Sequence, residues 1–174
     1  MTWIFGYGSL IWRPAFPFKD RRKAVVRGWR RRVWQASPDP RGVPEAPGRV
    51  VTLVEETGAV CWGMAFLLDE GDRRQVMSEL DLREKNGYEP INVDLEFDDG
   101  SVRHGLTYVA GQENPSFVGP APMQEMIAQI ANAIGPSGPN VEYLTRLADT
   151  LDGMDVYDEE VHGLREALHA RGAN

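Results

Sequence analysis

A short run of small and polar residues, "YGSL" at positions 7–10, lies between two apolar segments near the start of the chain. It is the first candidate for chemistry. Glycine has no Cβ, so Gly8 lets a ligand approach the backbone closely. A sharp turn here points consecutive backbone N–H groups at one place, where they bind a carboxylate or a developing oxyanion. The alternative is a tight turn whose Tyr7 packs in the core.

Nucleotide-binding and nucleophile motifs do not fit this loop. The pattern G-x-G is present at Gly6 and Gly8, but Ile11 stands where a dinucleotide fingerprint requires glycine, and we expect no helix to follow. A Walker loop requires Gly-Lys-Ser/Thr, which the loop lacks. Ser9 is not within G-x-S-x-G and has no histidine near it in the sequence, so a serine nucleophile is disfavoured.

Glu84, in "LDLREKNGYEP" (80–90), is the second candidate. We expect a helix from about residue 70 to the Asn-Gly pair at 86–87, which places Glu84 in its last turn. The helix dipole disfavours a negative charge there and raises the pKa of an acid. A raised pKa is what a carboxylate needs to act as a general base near neutral pH. The alternatives are a solvated acid, or an ion pair with Arg83 or Lys85 that cancels the shift.

Cysteine and histidine are sparse. Cys61 is the only cysteine and lies in the apolar segment "AVCWGMAFLL", so a packed core residue is favoured over a nucleophile. The three histidines, at positions 104, 162 and 169, are far apart and form no HExxH pair. We therefore expect no metal site.

Charge is unevenly distributed along the chain. The net charge is −7, yet residues 13–41 carry ten Lys and Arg against two acids, and residues 142–174 carry eight acids against three bases. The overall sign argues against nucleic acid as a partner, so "RGWRRRV" predicts a solvated strand face. No segment approaches the roughly 18 apolar residues of a membrane span, and the first residues lack the features of a signal peptide. A cytoplasmic protein without a membrane partner is expected.

Hydrophobic patterning predicts one α+β domain over residues 1–174. Strand-like segments lie at 24–35, 49–55, around Cys61, at 91–97 and at 102–110, with a hairpin turn at "DDGS" (98–101). Helical patterns lie at 70–84, where Val76, Met77, Leu80 and Leu82 are the apolar residues, and at 121–135, 138–154 and 158–172. The proline-rich segment "PDPRGVPEAPGR" (38–49) predicts an ordered surface loop.

The loop and the acid occur among a series of further motifs, and together these resemble the ChaC-like γ-glutamylcyclotransferases over nearly the whole chain. The matching stretches are "FGYGSLIW", "RRVWQASPDPRGVPEAPGRVVTL", "CWGMAF", "LREKNGYE", "TYVA", "NPSFVGPAP", "IAQIANAIGPSGPNVEYL" and the acidic C-terminal helix. One departure is visible. Close relatives often have Asp-His-Arg-Gly where this chain has "DPRG", with Pro40 in place of the histidine.

This resemblance implies a small mixed-sheet β-barrel flanked by helices, without a cofactor. The family cleaves γ-glutamyl peptides, glutathione in particular, into 5-oxoproline and the remaining peptide. Its catalytic glutamate lies in an R-E-x-x-G-Y motif, which corresponds to Glu84, and its Y-G-S-L loop holds the γ-glutamyl group. The expected substrate-binding residues are Ile4, Phe5, Gly6, Tyr7, Gly8, Ser9, Leu10 and Tyr88.

The chemistry of a γ-glutamyl substrate agrees with the residues present. Its own α-amino group closes a five-membered ring on the γ-carbonyl, so the protein mainly folds the substrate and moves a proton. Glu84 would take that proton, and Tyr88 would orient Glu84. Tyr108, Tyr143 and Arg49 are weaker candidates for the pocket, and a surface ion pair is the commoner fate of such an arginine.

Three other functions stay open at this point. One is a cyclotransferase for other γ-glutamyl amino acids or amines, for which glutathione is a poor substrate. The second is a non-catalytic binding or regulatory protein of the same fold, which the intact loop and Glu84 argue against. The third is a nucleic-acid-binding module built on the basic segment, which the net charge of −7 argues against.

Overall fold

The computed structural model describes residues 1–83 and 87–172, with the backbone alone for Arg83. Its strands are β1 (Thr2–Gly6), β2 (Asp20–Ser37), β3 (Gly48–Leu68), β4 (Tyr88–Phe97), β5 (Val102–Ala110), β6 (Ile134–Gly135) and β7 (Gly138–Pro139). Its helices are α1 (Arg73–Arg83), α2 (Met123–Asn132), α3 (Asn140–Gly153) and α4 (Glu159–Ala170), with a 3-10 helix at Ser9–Ile11. Strands in the first part and helices in the last confirm the predicted α+β class.

The backbone divides into two compact units. The first contains Met1–Arg31 and Leu53–Gly111, and the second contains Arg32–Thr52 and Gln112–Asn174. Strands β2 and β3 contribute residues to both. That residues 1–174 form one domain stays a prediction.

Five strands form a closed barrel in the order β1, β3, β2, β4, β5. β1 is antiparallel to β3, pairing Thr2 with Leu68 and Gly6 with Met64, and parallel to β5, pairing Ile4 with Leu106. The sheet is therefore mixed, as expected. β4 and β5 form a hairpin whose turn is the predicted "DDGS" segment.

That hairpin turn is closed by its own side chains. Gly100 has φ +82°, a conformation that residues with a Cβ rarely adopt. The carboxylate of Asp99 accepts hydrogen bonds from the hydroxyl of Ser101 at 2.6 Å and from its N–H at 2.9 Å. These bonds, with a smaller contribution from Arg22, lower the pKa of Asp99 to about 2.

β3 differs from expectation because it is one strand of 21 residues. The residues predicted as strands at 49–55 and around Cys61 are in a strand, but the prediction that they form two separate strands is wrong. The segment between them is exposed, and Gly58 has φ +85° with open space around it, which lets the strand continue.

Apolar side chains of the barrel strands form the core of the first unit. Its members include Trp3, Phe5, Leu53, Cys61 and Leu95. Cys61 is 2% exposed and lies among these core side chains, which confirms the prediction of a packed core cysteine.

Helix α1 also belongs to the first unit. Val76 and Leu80, four residues apart, are buried, as the helical pattern predicts. Leu82, the last apolar residue of the pattern, is 66% exposed and lies outside this buried face. Gly87 has φ +96°, but the rest of the predicted Asn-Gly stop lies outside the described residues, so that stop stays a prediction.

Helices α2, α3 and α4 occupy the second unit together with the short pair β6–β7, which the sequence did not indicate. Asp158 caps the N-terminus of α4, because its carboxylate accepts a hydrogen bond from the N–H of Val161 at 2.9 Å. The apolar faces of α3 and α4 are buried, as the sequence predicts. No helix of the described residues has the length and apolar character to cross a membrane.

Candidate active site

The loop at residues 7–10 leaves β1 in a tight turn. An added Cβ on Gly6 would lie 2.8 Å from the Cβ of Leu10, so the turn leaves no room for a larger residue at Gly6. The carbonyl of Gly8 accepts a hydrogen bond from the N–H of Ile11 at 3.0 Å. The three-residue 3-10 helix that begins at Ser9 corrects the expectation that no helical turn follows.

The side chain of Tyr7 lies in the barrel and forms a hydrogen bond to β5. Its side chain is 6% exposed and belongs to the barrel core, as in the tight-turn alternative. Its buried hydroxyl donates a 2.6 Å hydrogen bond to the carbonyl of Tyr108 in β5. This bond extends the connection between β1 and β5 two residues along β5 beyond Leu106, the residue that pairs with β1. The Tyr7 hydroxyl is therefore engaged as a donor within the barrel.

Ile4 and Phe5 support the loop from within the barrel. Both side chains are fully buried, so neither presents side-chain surface to a substrate. The carbonyl of Phe5 accepts a 2.8 Å hydrogen bond from the buried hydroxyl of Thr107 in β5. That these two residues bind substrate stays a prediction, and only their backbone atoms are suited to it.

A second contact of Tyr108 reaches helix α1. Its hydroxyl donates a 2.7 Å hydrogen bond to the carboxylate of Asp81, near the end of that helix. Tyr7, Tyr108 and Asp81 thus connect the loop, β5 and α1 through two hydrogen bonds. Sequence reasoning missed Asp81, although its place three residues before Glu84 within "LDLRE" was a signal.

The predicted base lies outside the described residues. Glu84 follows α1 directly in the sequence, since that helix ends at Arg83. Tyr88 is the first residue of β4, is half-buried and pairs with Ala110 of β5. The roles of Glu84 and Tyr88 therefore stay predictions.

Arg31 is a buried residue of the first unit that the sequence reading assigned to a solvated face. It is 3% exposed, and its Nε donates to the carbonyl of Tyr7 at 2.8 Å while its Nη2 donates to the carbonyl of Trp62. The signal was the alternation of β2, which buries every second residue from Arg31 to Ser37. Three consecutive arginines at 30–32 obscured it.

Neighbouring arginines of β2 do lie on the outer face. Arg27 pairs with Glu96 at 2.8 Å and Arg30 with Glu56 at 2.6 Å, and all four side chains are more than a third exposed. The hydrogen bond and charge of Glu96 raise the pKa of Arg27. For these residues the prediction of a solvated face is confirmed.

Arg49, Tyr143 and Pro40 belong to the second unit. Arg49 is buried and donates to the carbonyls of Val33 and Gly119 and to the amide oxygen of Gln129, so the expectation of a surface ion pair is wrong. Burial lowers the pKa of its guanidinium below the ordinary value.

Tyr143 and Pro40 also make hydrogen bonds within this unit. The hydroxyl of Tyr143 accepts from the N–H of Val51 at 3.1 Å. Pro40 is exposed, and its carbonyl accepts from the N–H of Ser137 at 3.0 Å. Both residues therefore have structural partners in the second unit.

Metal-ligating side chains do not cluster in residues 1–83 and 87–172, where no three His, Cys, Asp or Glu residues are placed to hold an ion. The loop contributes backbone groups, hydroxyls and apolar side chains. Groups of these types are able to bind and orient a small polar molecule, and the acid that follows Arg83 in sequence is the candidate for proton transfer.

Known proteins resemble this chain over nearly its whole length. The model of the family described as "ChaC-like protein" matches residues 2–171. Glutathione-specific gamma-glutamylcyclotransferase 1 of Homo sapiens is 40% identical over 95% of this chain and 78% of the relative, and that of Danio rerio is 39% identical over 97% and 89%. A crystal structure of the yeast cyclotransferase specific to glutathione superposes with a TM-score of 0.90 at 29% identity, covering 97% of this chain and 96% of the other.

Proposed function

Because this chain belongs to the ChaC-like family, we propose that it is a γ-glutamylcyclotransferase that cleaves glutathione to 5-oxoproline and Cys-Gly. The observation that carries the proposal is 40% identity, over 95% of the chain, with a relative named as specific for glutathione. The loop at residues 7–10 supports it, since the turn joins a buried strand and is fixed by hydrogen bonds from Arg31 and to Tyr108.

The reaction rearranges bonds within the substrate. The α-amino nitrogen of the glutamyl group attacks the γ-carbonyl carbon, a five-membered lactam forms, and the bond to the cysteine nitrogen breaks. No water is consumed and nothing is oxidised or reduced. Since nucleophile and electrophile belong to one molecule, the protein gains most by binding the substrate in the folded shape that places them in contact.

Proton transfer is the second requirement. The α-amino group is an ammonium ion at neutral pH and attacks only after it loses a proton. In this proposal Glu84 accepts that proton and returns one to the leaving amine of Cys-Gly, so the net proton count is unchanged. Its place in the sequence next to Arg83, the last described residue of α1, supports this assignment, because a helix dipole disfavours a carboxylate at the C-terminal end of a helix.

The loop provides the binding function in this proposal. Its backbone N–H groups bind either the α-carboxylate of the glutamyl group or the oxyanion that forms on the γ-carbonyl. Tyr7, Gly8, Ser9 and Leu10 are the residues assigned to it, with Tyr88 orienting Glu84. The proposed substrate is a small molecule, with neither nucleic acid nor a membrane as partner. We place the activity in the cytoplasm, which suits a sequence whose single cysteine allows no intrachain disulfide.

The experiment is 5-oxoproline release from glutathione by the purified protein, with Glu84→Gln and Glu79→Gln in parallel. Glu79 is an exposed acid of α1, so Glu79→Gln is the matched control for removing one negative charge from that region. We expect activity in the parent and the control, and a kcat lower by about 100-fold or more in Glu84→Gln, the usual contribution of a general base.

Each other outcome removes a defined part of the proposal. Equal activity in Glu84→Gln and the parent would leave the reaction but remove Glu84 as the base. Release of 5-oxoproline from γ-glutamyl amino acids or amines but not from glutathione would show that the substrate in the proposal is wrong. Binding without turnover of any γ-glutamyl compound would establish a non-catalytic protein.

A further inference from the structure

Arg31 lies where the β1–β3 ladder ends. The backbone pairing of these strands stops at Gly6 and Met64, and the chain then turns into the loop. Arg31, from the adjacent strand β2, donates from Nε to the carbonyl of Tyr7 and from Nη2 to the carbonyl of Trp62. One buried guanidinium thus supplies hydrogen bonds to both strands just beyond their last backbone pair.

The contact with Tyr7 fixes one peptide unit of the loop. Among the described residues the only cis peptide bond is Asp39–Pro40, so the bond between Tyr7 and Gly8 is trans. In a planar trans peptide the C=O and the N–H point in opposite directions. Since Arg31 binds the Tyr7 carbonyl, the N–H of Gly8 points away from the guanidinium. No described residue accepts a hydrogen bond from that N–H.

A second contact fixes the other side of Gly8. Its carbonyl accepts the N–H of Ile11 at 3.0 Å, so the peptide units before and after Gly8 are each held by a hydrogen bond. The planar fork of arginine satisfies two carbonyls in fixed directions, whereas lysine has one rotatable ammonium group. Arginine therefore suits this buried position, where the side chain donates to the backbone carbonyls of Tyr7 and Trp62.

We propose that Arg31 is a positioning residue for the cyclotransferase reaction, which holds the Tyr7–Gly8 peptide so that the Gly8 N–H is presented to the γ-glutamyl group. The inference rests on the proposed function. Arg31 acts through the loop backbone and has no assigned contact with the substrate. It extends the site to a residue 24 positions further along the chain than Tyr7.

The test compares Arg31→Ala and Arg31→Lys with the matched controls Arg30→Ala and Arg30→Lys. Arg30 is the preceding residue of β2, lies on the outer face and pairs with Glu56. KM and kcat for glutathione are measured well below each variant's unfolding midpoint, so that all molecules are folded. We expect kcat/KM to fall by about 10- to 100-fold in the Arg31 variants, the effect of a slightly misplaced binding group, and to be unchanged in the controls.

Chemical rescue separates positioning from general support of the fold. Low millimolar guanidinium chloride, far below denaturing concentrations, should raise the kcat/KM of Arg31→Ala, whereas the same concentration of sodium chloride should not. Guanidinium refills the vacated place and can donate to the Tyr7 carbonyl. The controls, which lose no contact with the loop, should not respond.

Several results would overturn the proposal. If the parent protein releases no 5-oxoproline, the proposed function fails and this inference fails with it. If the parent is active, two results refute the role of Arg31 and leave the proposed function standing. One is a folded Arg31→Lys protein whose kcat/KM is within about twofold of the parent's. The other is an Arg31→Ala protein whose kcat/KM is not raised by guanidinium. If Arg31→Ala does not fold, the kcat/KM of Arg31→Lys decides.

Discussion

Removing one oxygen atom from Tyr7 tests whether its hydrogen bond to β5 supports the barrel. The substitution Tyr7→Phe keeps the ring in the core and deletes only the hydroxyl that donates to Tyr108 at 2.6 Å. A buried hydrogen bond contributes about 1 kcal/mol net to the free energy of unfolding. Leaving its buried acceptor without a donor adds some of the desolvation cost of that group, which is about 1–3 kcal/mol in full. We therefore expect the free energy of unfolding to fall by about 2 kcal/mol.

The assay is urea unfolding followed by tryptophan fluorescence and circular dichroism, with thermal unfolding beside it. For a chain of this size, a loss of about 2 kcal/mol in the free energy of unfolding lowers the midpoint of thermal unfolding by about 4–8 °C. Tyr157→Phe is the matched control, because Tyr157 is 74% exposed and its hydroxyl is available to water. A Tyr7→Phe protein as stable as that control would refute the assignment of the hydroxyl to the fold.

Enzyme kinetics with the same variant test a separate point. Because the Tyr7 hydroxyl already donates within the barrel, it is not assigned a proton-transfer role. We expect the pH profile of kcat/KM for Tyr7→Phe to keep the shape of the parent's profile, whatever the change in its height. A shift in an apparent pKa of that profile would show that the phenol takes part in the chemistry.

Three further predictions concern other contacts. In a double-mutant cycle, Tyr108→Phe and Asp81→Ala should show a coupling energy of about 1 kcal/mol in urea unfolding, since one partner is solvent-exposed; additive effects would contradict it. Ser101→Ala should raise the pKa of Asp99 from about 2 toward its ordinary 3.8, observed by carboxyl NMR titration. In the parent, the stabilisation from Asp99 should be complete above pH 3.8 and disappear as the pH falls through about 2, because the folded-state pKa is the lower one. Arg49→Met should lower the free energy of unfolding by about 3 kcal/mol, measured by urea unfolding, because it removes three hydrogen bonds to buried or half-buried oxygens; a loss below about 1 kcal/mol would contradict that reasoning.

The order of the longer strands and helices was predictable because most of them have a local signal, whereas the short pair β6–β7 has none. Periodicity located α3 and α4, and the Asp-Gly turn located the β4–β5 hairpin. The continuity of β3 was not predictable, because the sequence around Gly58, with two glutamates before it, resembles a loop when it is considered locally. Whether such a segment turns or continues as a strand depends on tertiary pairing, which no short window contains.

In the candidate active site too, what could be predicted came from adjacent residues, and what could not came from residues far apart in the sequence. Residues 7–10 could be recognised because glycine, tyrosine and serine are adjacent in the sequence. The groups that fix them come from Arg31, 24 residues away, and from Tyr108, 101 residues away, and nothing near the loop refers to them. A buried arginine is especially hard to anticipate, because charge argues for exposure until its carbonyl partners are known. Sequence therefore indicates a candidate binding loop more readily than the distant residues that hold this loop in place, and those residues have to be taken from the structure.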